Sequence, residues 1–239
     1  LHTVIYGNPG CGKTTVAHII AKIYQKLGIL SESGDVKIAG KEDFVAGYLG
    51  QTVIKTKKLL NSCVGGVLFI DEVYGMAPKN SDKDSFSKEA IDTLNRFLSE
   101  HKNDFCCIIA GYEDEVNECF FNMNKGLERR FPWVHRMEEY SGLELSEIFN
   151  SMIEKAGWSI DFPLSFMVQI IRENKNMFKY NAGSIETFFS KCKILHSRRV
   201  FGQDESIKYT LTKEDILESL NYMKQNGYKE DVPPASMYT

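Results

Sequence analysis

A lysine and a threonine close a glycine-rich octet near the start of the chain: Gly7-Asn8-Pro9-Gly10-Cys11-Gly12-Lys13-Thr14 is a complete G-x-x-x-x-G-K-[ST] loop. Residues of these types at this spacing handle phosphate. The glycines let backbone N–H groups curl around phosphate oxygens, and the helix start that follows adds its partial positive charge. Lys13 is placed to reach the β- and γ-phosphates of a nucleoside triphosphate and Thr14 to offer a hydroxyl to Mg2+, with Thr15 extending the binding segment. A second chemical pair, Asp71-Glu72, ends the run Gly65-Gly66-Val67-Leu68-Phe69-Ile70. Asp71 would hold Mg2+ directly or through water, and Glu72 would orient or deprotonate an attacking water. The two sets together predict that the chain binds a nucleoside triphosphate with Mg2+ and hydrolyses it.

Such residues need a frame that brings them to one edge. The apolar run Thr3-Val4-Ile5-Tyr6 leads into the loop, and Val16, Ile20, Ile23, Tyr24 and Leu27 recur at helical spacing until Gly28. Val67–Ile70, apolar throughout and preceded by glycines, reads as a strand buried on both faces of a parallel sheet. Further strands are expected at His2–Tyr6, Val36–Ala39, Phe105–Ala110 and Trp133–Met137, with helices at Thr52–Ser62 and Lys88–Glu100. This alternation argues a parallel sheet with helices on both faces. Pro78–Ser87 reads as a mobile polar loop. Beyond Ser141 the pattern turns helical: Leu145–Ala156, Leu164–Asn174, Ser184–Ser197 and Lys213–Asn226, the last opened by the cap Thr212 and first-turn acids. The Glu230–Thr239 tail, with Pro233-Pro234, is expected to leave the body.

Composition fits one compact enzyme or a domain with a lid. The 239 residues carry a net charge of −3, with 17 basic against 19 acidic residues through Tyr140 and 12 against 13 beyond it. No basic face follows from these totals, which weighs against nucleic acid as a partner. No apolar run approaches 18 residues, so a membrane span is not expected. The six cysteines lack C-x-x-C spacing and several sit in apolar runs, which suits free buried thiols in a reducing compartment, the cytoplasm or an organelle stroma. Cys11, at the mouth of a helix beside Lys13, is expected to favour its thiolate and to react ahead of Cys63, Cys106, Cys107 and Cys192. His18, on the helix after the loop, is expected to pack. The chain opens at Leu1 without a methionine and reads as part of a longer protein.

The order GNPGCGKTT, EDFVAGYLGQT, GGVLFIDEVY, CIIAGYEDEV and GLERRF resembles the AAA+ ATPases, and more narrowly the CbxX/CfqX family, which includes the red-type Rubisco activase and relatives in sporulation and type VII secretion. The paired glycines before Val67 and the AGY at Ala110-Gly111-Tyr112 are more specific to that family than the phosphate loop. The resemblance implies a P-loop NTPase αβα sandwich over residues 1–140, with a five-stranded parallel sheet of order 5-1-4-3-2, and a small helical lid over 141–239. It implies self-assembly into a hexameric ring, of one or of mixed subunits, that acts on a protein substrate through a pore loop at Tyr48 and Leu49. It also implies that Arg130, with Arg129 as second choice, serves as a finger on the neighbouring subunit's ATP. Tyr112 stands where many relatives place a polar sensor. In the lid, Asn181-Ala182-Gly183-Ser184-Ile185-Glu186 departs from the family pattern, with Gly183 and Glu186 at positions where arginines are expected, and Arg198 and Arg199 lie about four helical turns downstream. That departure keeps a rival open, a nucleotide-gated regulatory or scaffold subunit with weak ATPase. A DNA-acting AAA+ protein is the second rival, opposed by the charge balance and by Tyr48.

Overall fold

The computed structural model describes residues 1–48, 50–77, 85–204 and 207–226. The chain divides into two compact units, Leu1–Glu139 and Tyr140–Thr239.

In the first unit, β1 (Thr3–Tyr6), β2 (Val36–Ala39), β3 (Val67–Ile70), β4 (Cys106–Gly111) and β5 (Trp133–Arg136) form one parallel sheet in the order β2-β3-β4-β1-β5. This is the order that the family resemblance implies. The three central strands are buried at every residue, which is why their sequences are apolar without alternation. The edge strand β5 is exposed at every residue, and β2 is buried only at Ala39.

The connections are α1 (Lys13–Lys26), α2 (Lys41–Phe44), α3 (Gln51–Asn61), α4 (Ser85–Glu100) and α5 (Glu113–Glu115). The last continues into a wider π-helical turn, Val116–Phe121. Two apolar clusters sandwich the sheet. One joins Val4, Leu68, Ile70 and Ile109 to Leu60, Ile91, Leu94 and Phe120, and the other joins Ile5, Phe69 and Ile108 to Ala17 and Ala21.

Three expectations are corrected here. The sheet-facing residues of α1 are Ala17 and Ala21, whereas Ile23 and Leu27 of the anticipated apolar stripe are exposed. Small residues let the helix lie close to the strands, so the bulkier side chains fall to its flanks and outer face. His18 is exposed and does not pack. The loop expected over Pro78–Ser87 ends early, because Ser85–Ser87 already belong to α4 and Ser87 is buried. Pro78 to Asp84 lie outside the described residues.

The second unit packs α6 (Gly142–Lys155), α7 (Leu164–Glu173), α8 (Asn181–Arg199) and α9 (Lys213–Gln225), with β6 (Ser159–Ile160) paired to β7 (Thr210–Leu211). Phe149, Met167, Ile185, Phe188 and Ile216 are at its centre. Ser141 and Thr212 cap α6 and α9, each in a reciprocal box with an acid three residues on. Pro233, Pro234 and the rest of the expected tail lie outside the described residues.

Candidate functional site

The phosphate loop joins β1 to α1, and its shape follows from its glycines. Gly10 and Gly12 adopt left-handed φ values of 71° and 89°. A Cβ at Gly7 would lie 2.7 Å from Cys11 Sγ and 2.9 Å from Met137 Cβ, so the loop closes only around a residue without a side chain. The Gly7 N–H donates to the Gly111 carbonyl at 3.2 Å, fastening the loop to the end of β4. The helix that follows has no side-chain cap and no acid in its first turn. Its leading N–H groups carry the partial charge that an anion would complement.

Lys13 is folded onto the loop, its Nζ donating to the carbonyls of Gly7 and Asn8 at 3.1 Å each. Thr14 is half-buried and Thr15 exposed, as are Asn8 and Gly10, with Pro9 half-buried. Asn8 Nδ2 donates to Glu139 Oε1 at 3.1 Å, a tether no motif announces.

Cys11 contradicts its expectation. It is 1% exposed, with its sulfur against Gly7. Burial pushes its thiol above the ordinary range, and the Lys13 charge and the backbone donors offset that only in part. Desolvation outweighs the helix start here because the side chain points into the fold.

Asp71 and Glu72 follow β3, which β4 separates from β1 in the sheet. Both are exposed at the carboxyl edge that also carries the phosphate loop. Asp71 is close enough to Cys11 for its charge to raise the thiol further. Its Oδ1 accepts the Glu72 N–H at 3.0 Å. Glu72 itself sits at φ 46°, ψ 46°, a left-handed conformation that costs a non-glycine residue about 1–3 kcal/mol. Among the described residues, no group of three or more His, Cys, Asp or Glu could hold a metal alone. A cation between Thr14 and Asp71 would therefore draw remaining ligands from phosphate and water, which suits Mg2+.

The peripheral candidates are distributed differently. Arg130 is half-buried in a 3-10 turn, Glu128–Arg130, and its Nε is buried without a hydrogen-bond partner among the described residues. Arg129 is exposed on the rim of a groove lined by Val4, Phe121, Phe131 and Val134. Tyr48 is 73% exposed, ahead of Gly50, whose φ of 78° starts α3. Leu49 lies outside the described residues. Tyr112 stacks on Tyr74 with centroids 6.1 Å apart. Tyr74 is the residue that motif reading passed over, although it directly follows the acidic pair and Val73 in sequence.

In the second unit Gly183 and Glu186 are both exposed on α8, and a side chain at Gly183 would meet nothing within 4 Å. Arg199 is committed elsewhere, with Nε 2.8 Å from Asp215 Oδ1.

Comparison with known proteins fits this geometry. Residues 3–131 match the model of the ATPase family associated with various cellular activities, which spans every strand but the end of the sheet. A CfxQ homolog of Pyropia yezoensis is 33% identical over 95% of this chain and 77% of its own length. The chain belongs to the AAA family, in its CfxQ/CbxX branch. A cfxQ-like protein of Acanthamoeba polyphaga mimivirus is 40% identical over 95% of the chain, which spans only 56% of that relative's length. The FIGL-1 AAA domain, solved in complex with ADP, shares the fold at a TM-score of 0.67 and 15% identity, covering 92% of this chain and 71% of that one. The αβα architecture and nucleotide binding of this AAA protein follow from that membership.

Proposed function

We propose that this chain is the ATP-hydrolysing module of a Mg2+-dependent AAA+ protein that remodels a protein partner as a hexameric ring. The observation that carries the reading is the single sheet edge on which an uncapped helix start, Lys13 and the Asp71-Glu72 pair converge. Lys13 exchanges its two loop carbonyls for β- and γ-phosphate oxygens, and the N–H groups from Gly10 to Thr14 receive the phosphates. Thr14 and Asp71 would hold Mg2+, which neutralises charge developing on the transferring phosphoryl group. Glu72 accepts a proton from the attacking water. Arg130 reaches the ATP of a neighbouring subunit, a use consistent with a guanidinium whose Nε has no hydrogen-bond partner among the described residues. Tyr48 offers an exposed aromatic surface that grips peptide without reading sequence. The buried thiols fit a reducing compartment.

One observation favours a weaker enzyme. Exposed Gly183 and Glu186 supply no cation, as a nucleotide-gated scaffold subunit would tolerate. Nucleotide titration and steady-state turnover separate the readings. Lys13→Ala is expected to weaken ATP binding about a hundredfold, whereas Glu72→Gln binds ATP normally and loses at least about a hundredfold in kcat. Equal ATP affinity in wild type and Lys13→Ala would sink the site. A wild-type rate no higher than that of Glu72→Gln would favour the scaffold.

A further inference from the structure

Residues 44–70 contain three lysines, Lys55, Lys57 and Lys58, and no acid, in a chain whose net charge is −3. Helix α3 sorts these lysines by task. Its buried side is Thr52, Thr56, Leu59 and Leu60. Lys55 lies at the flank and is tied down, its Nζ donating to the carbonyls of Glu42 and Val45. Ile54, Lys57 and Lys58 recur at i, i+3 and i+4 on the outer side, and all three are exposed. Neither Lys57 nor Lys58 pairs with an acid among the described residues. The helix start adds to the positive sign, because its first turn holds no acid and Gly50 gives no side-chain cap. Apolar surface accompanies the charge. Tyr48 at 73% and Ile54 at 68% are the most exposed large apolar side chains described in the first unit. The Gln51 N–H donates to the Tyr48 carbonyl at 3.2 Å, which joins Tyr48 to the first turn of α3. An aliphatic side chain beside lysines is idle on a phosphate backbone but gains by covering an apolar side chain of a peptide.

We propose that this face selects acidic segments of the protein partner: an apolar side chain of the extended peptide lies against Tyr48 and Ile54, and its carboxylates lie beside Lys57 and Lys58. The inference rests on the Tyr48 role proposed above and names the substrate class for it. By helical rise, Gln51 to Lys58 spans about 10 Å, the reach of roughly three residues of extended chain, so apolar residue and acid are close neighbours in the peptide. Tyr48 grips any sequence, and the lysines bias the choice. Salt screens them, so they contribute selectivity more than affinity.

Two short fluorescent peptides that share their leucines, and differ only in carrying glutamate or glutamine, test this by anisotropy. Binding is read on the full-length protein with Mg2+ and a non-hydrolysable ATP analogue. The glutamate peptide is expected to bind about fivefold tighter than the glutamine peptide at about 0.1 M salt. Lys57→Gln combined with Lys58→Gln is expected to reduce that ratio below about twofold and to leave the glutamine peptide's affinity unchanged. Tyr48→Ala is expected to weaken both peptides alike. Equal affinity of wild type for the two peptides overturns the inference, as does a ratio that survives the loss of both lysines. Displacement of the glutamate peptide by oligo-dT at equal concentration, abolished in the same double variant, overturns it in favour of nucleic acid. A Tyr48→Ala protein that binds both peptides like wild type, with the charge ratio intact, is a different failure, that of Tyr48 as the gripping residue.

Discussion

The two units use charge in opposite ways. At the sheet edge of the first, Asp71 and Glu72 are exposed, Glu72 is strained, and Lys13 is held, among the described residues, by loop carbonyls that a phosphate would replace. In the second, Asp215 is fully buried and saturated. It accepts from Arg199 Nε at 2.8 Å, from a second Arg199 nitrogen at 2.9 Å, from the Thr212 N–H at 2.9 Å, and faces His196 Nδ1 at 3.0 Å. His196 in turn faces the Lys208 carbonyl at 3.0 Å through Nε2. Charges that await a ligand are left near water on a rigid strand end, while charges that hold the fold are buried with their partners. A network of three ionisable side chains is therefore no sign of a catalytic centre here.

That contrast breaks if Asp215 proves dispensable to folding. Asp215→Ala strands the Arg199 guanidinium and removes the acid of the Thr212 capping box. The expected loss is about 3–5 kcal/mol from the second unit. Trp133 lies in the first unit and Trp158 in the second, the only two tryptophans of the chain, so single-tryptophan variants report each unit separately in urea. A loss below about 1 kcal/mol at Trp158 would make the network ornamental.

Acid sharpens the same point. Burial opposes ionisation of Asp215, but the bonds from Arg199, the Thr212 backbone and His196 outweigh it and hold its pKa down to about 2, against an ordinary 3.8. A depressed carboxylate stabilises the fold fully above its unfolded value. That contribution is lost as pH falls from about 4 through about 2, and amounts to roughly 2 kcal/mol. Unfolding curves followed at Trp158 between pH 5 and pH 2 are expected to lose that increment in wild type and not in Asp215→Ala, beyond whatever acid slope the two share.

Legibility in the sequence divides along similar lines. The strands were readable because β1, β3 and β4 are buried on both faces, and the chemistry was readable because glycine, lysine and paired acids at fixed spacing have few other uses. What escaped was contact between distant segments. Nothing in the spacing of Tyr74 and Gly111 says that one ring needs the other's missing Cβ. Cys11 was misjudged because helix start and lysine are visible in sequence, whereas the direction of a side chain is not, and burial then decides its pKa. The α1 stripe misled for a related reason: large apolar residues mark a helix, but alanines mark the face that lies against the sheet.

The smallest effect tests the second unit at the position where the family pattern departs. Gly183 lies inside α8, with a backbone any residue can adopt and open space where a Cβ would go. Glycine there confers flexibility on the unfolded chain without meeting a packing need, so Gly183→Ala is expected to stabilise the second unit by about 0.5–1 kcal/mol. ATP affinity should stay within about twofold of wild type, because neither glycine nor alanine brings a donor. Urea titration at Trp158 reads the first quantity and nucleotide titration the second. Destabilisation would mean that the fold does not accommodate a side chain at this position after all. A clear loss of ATP affinity from one added methyl group would mean that this helix belongs to the nucleotide site, and the division between ligand-awaiting and fold-holding units would have to be redrawn around Gly183.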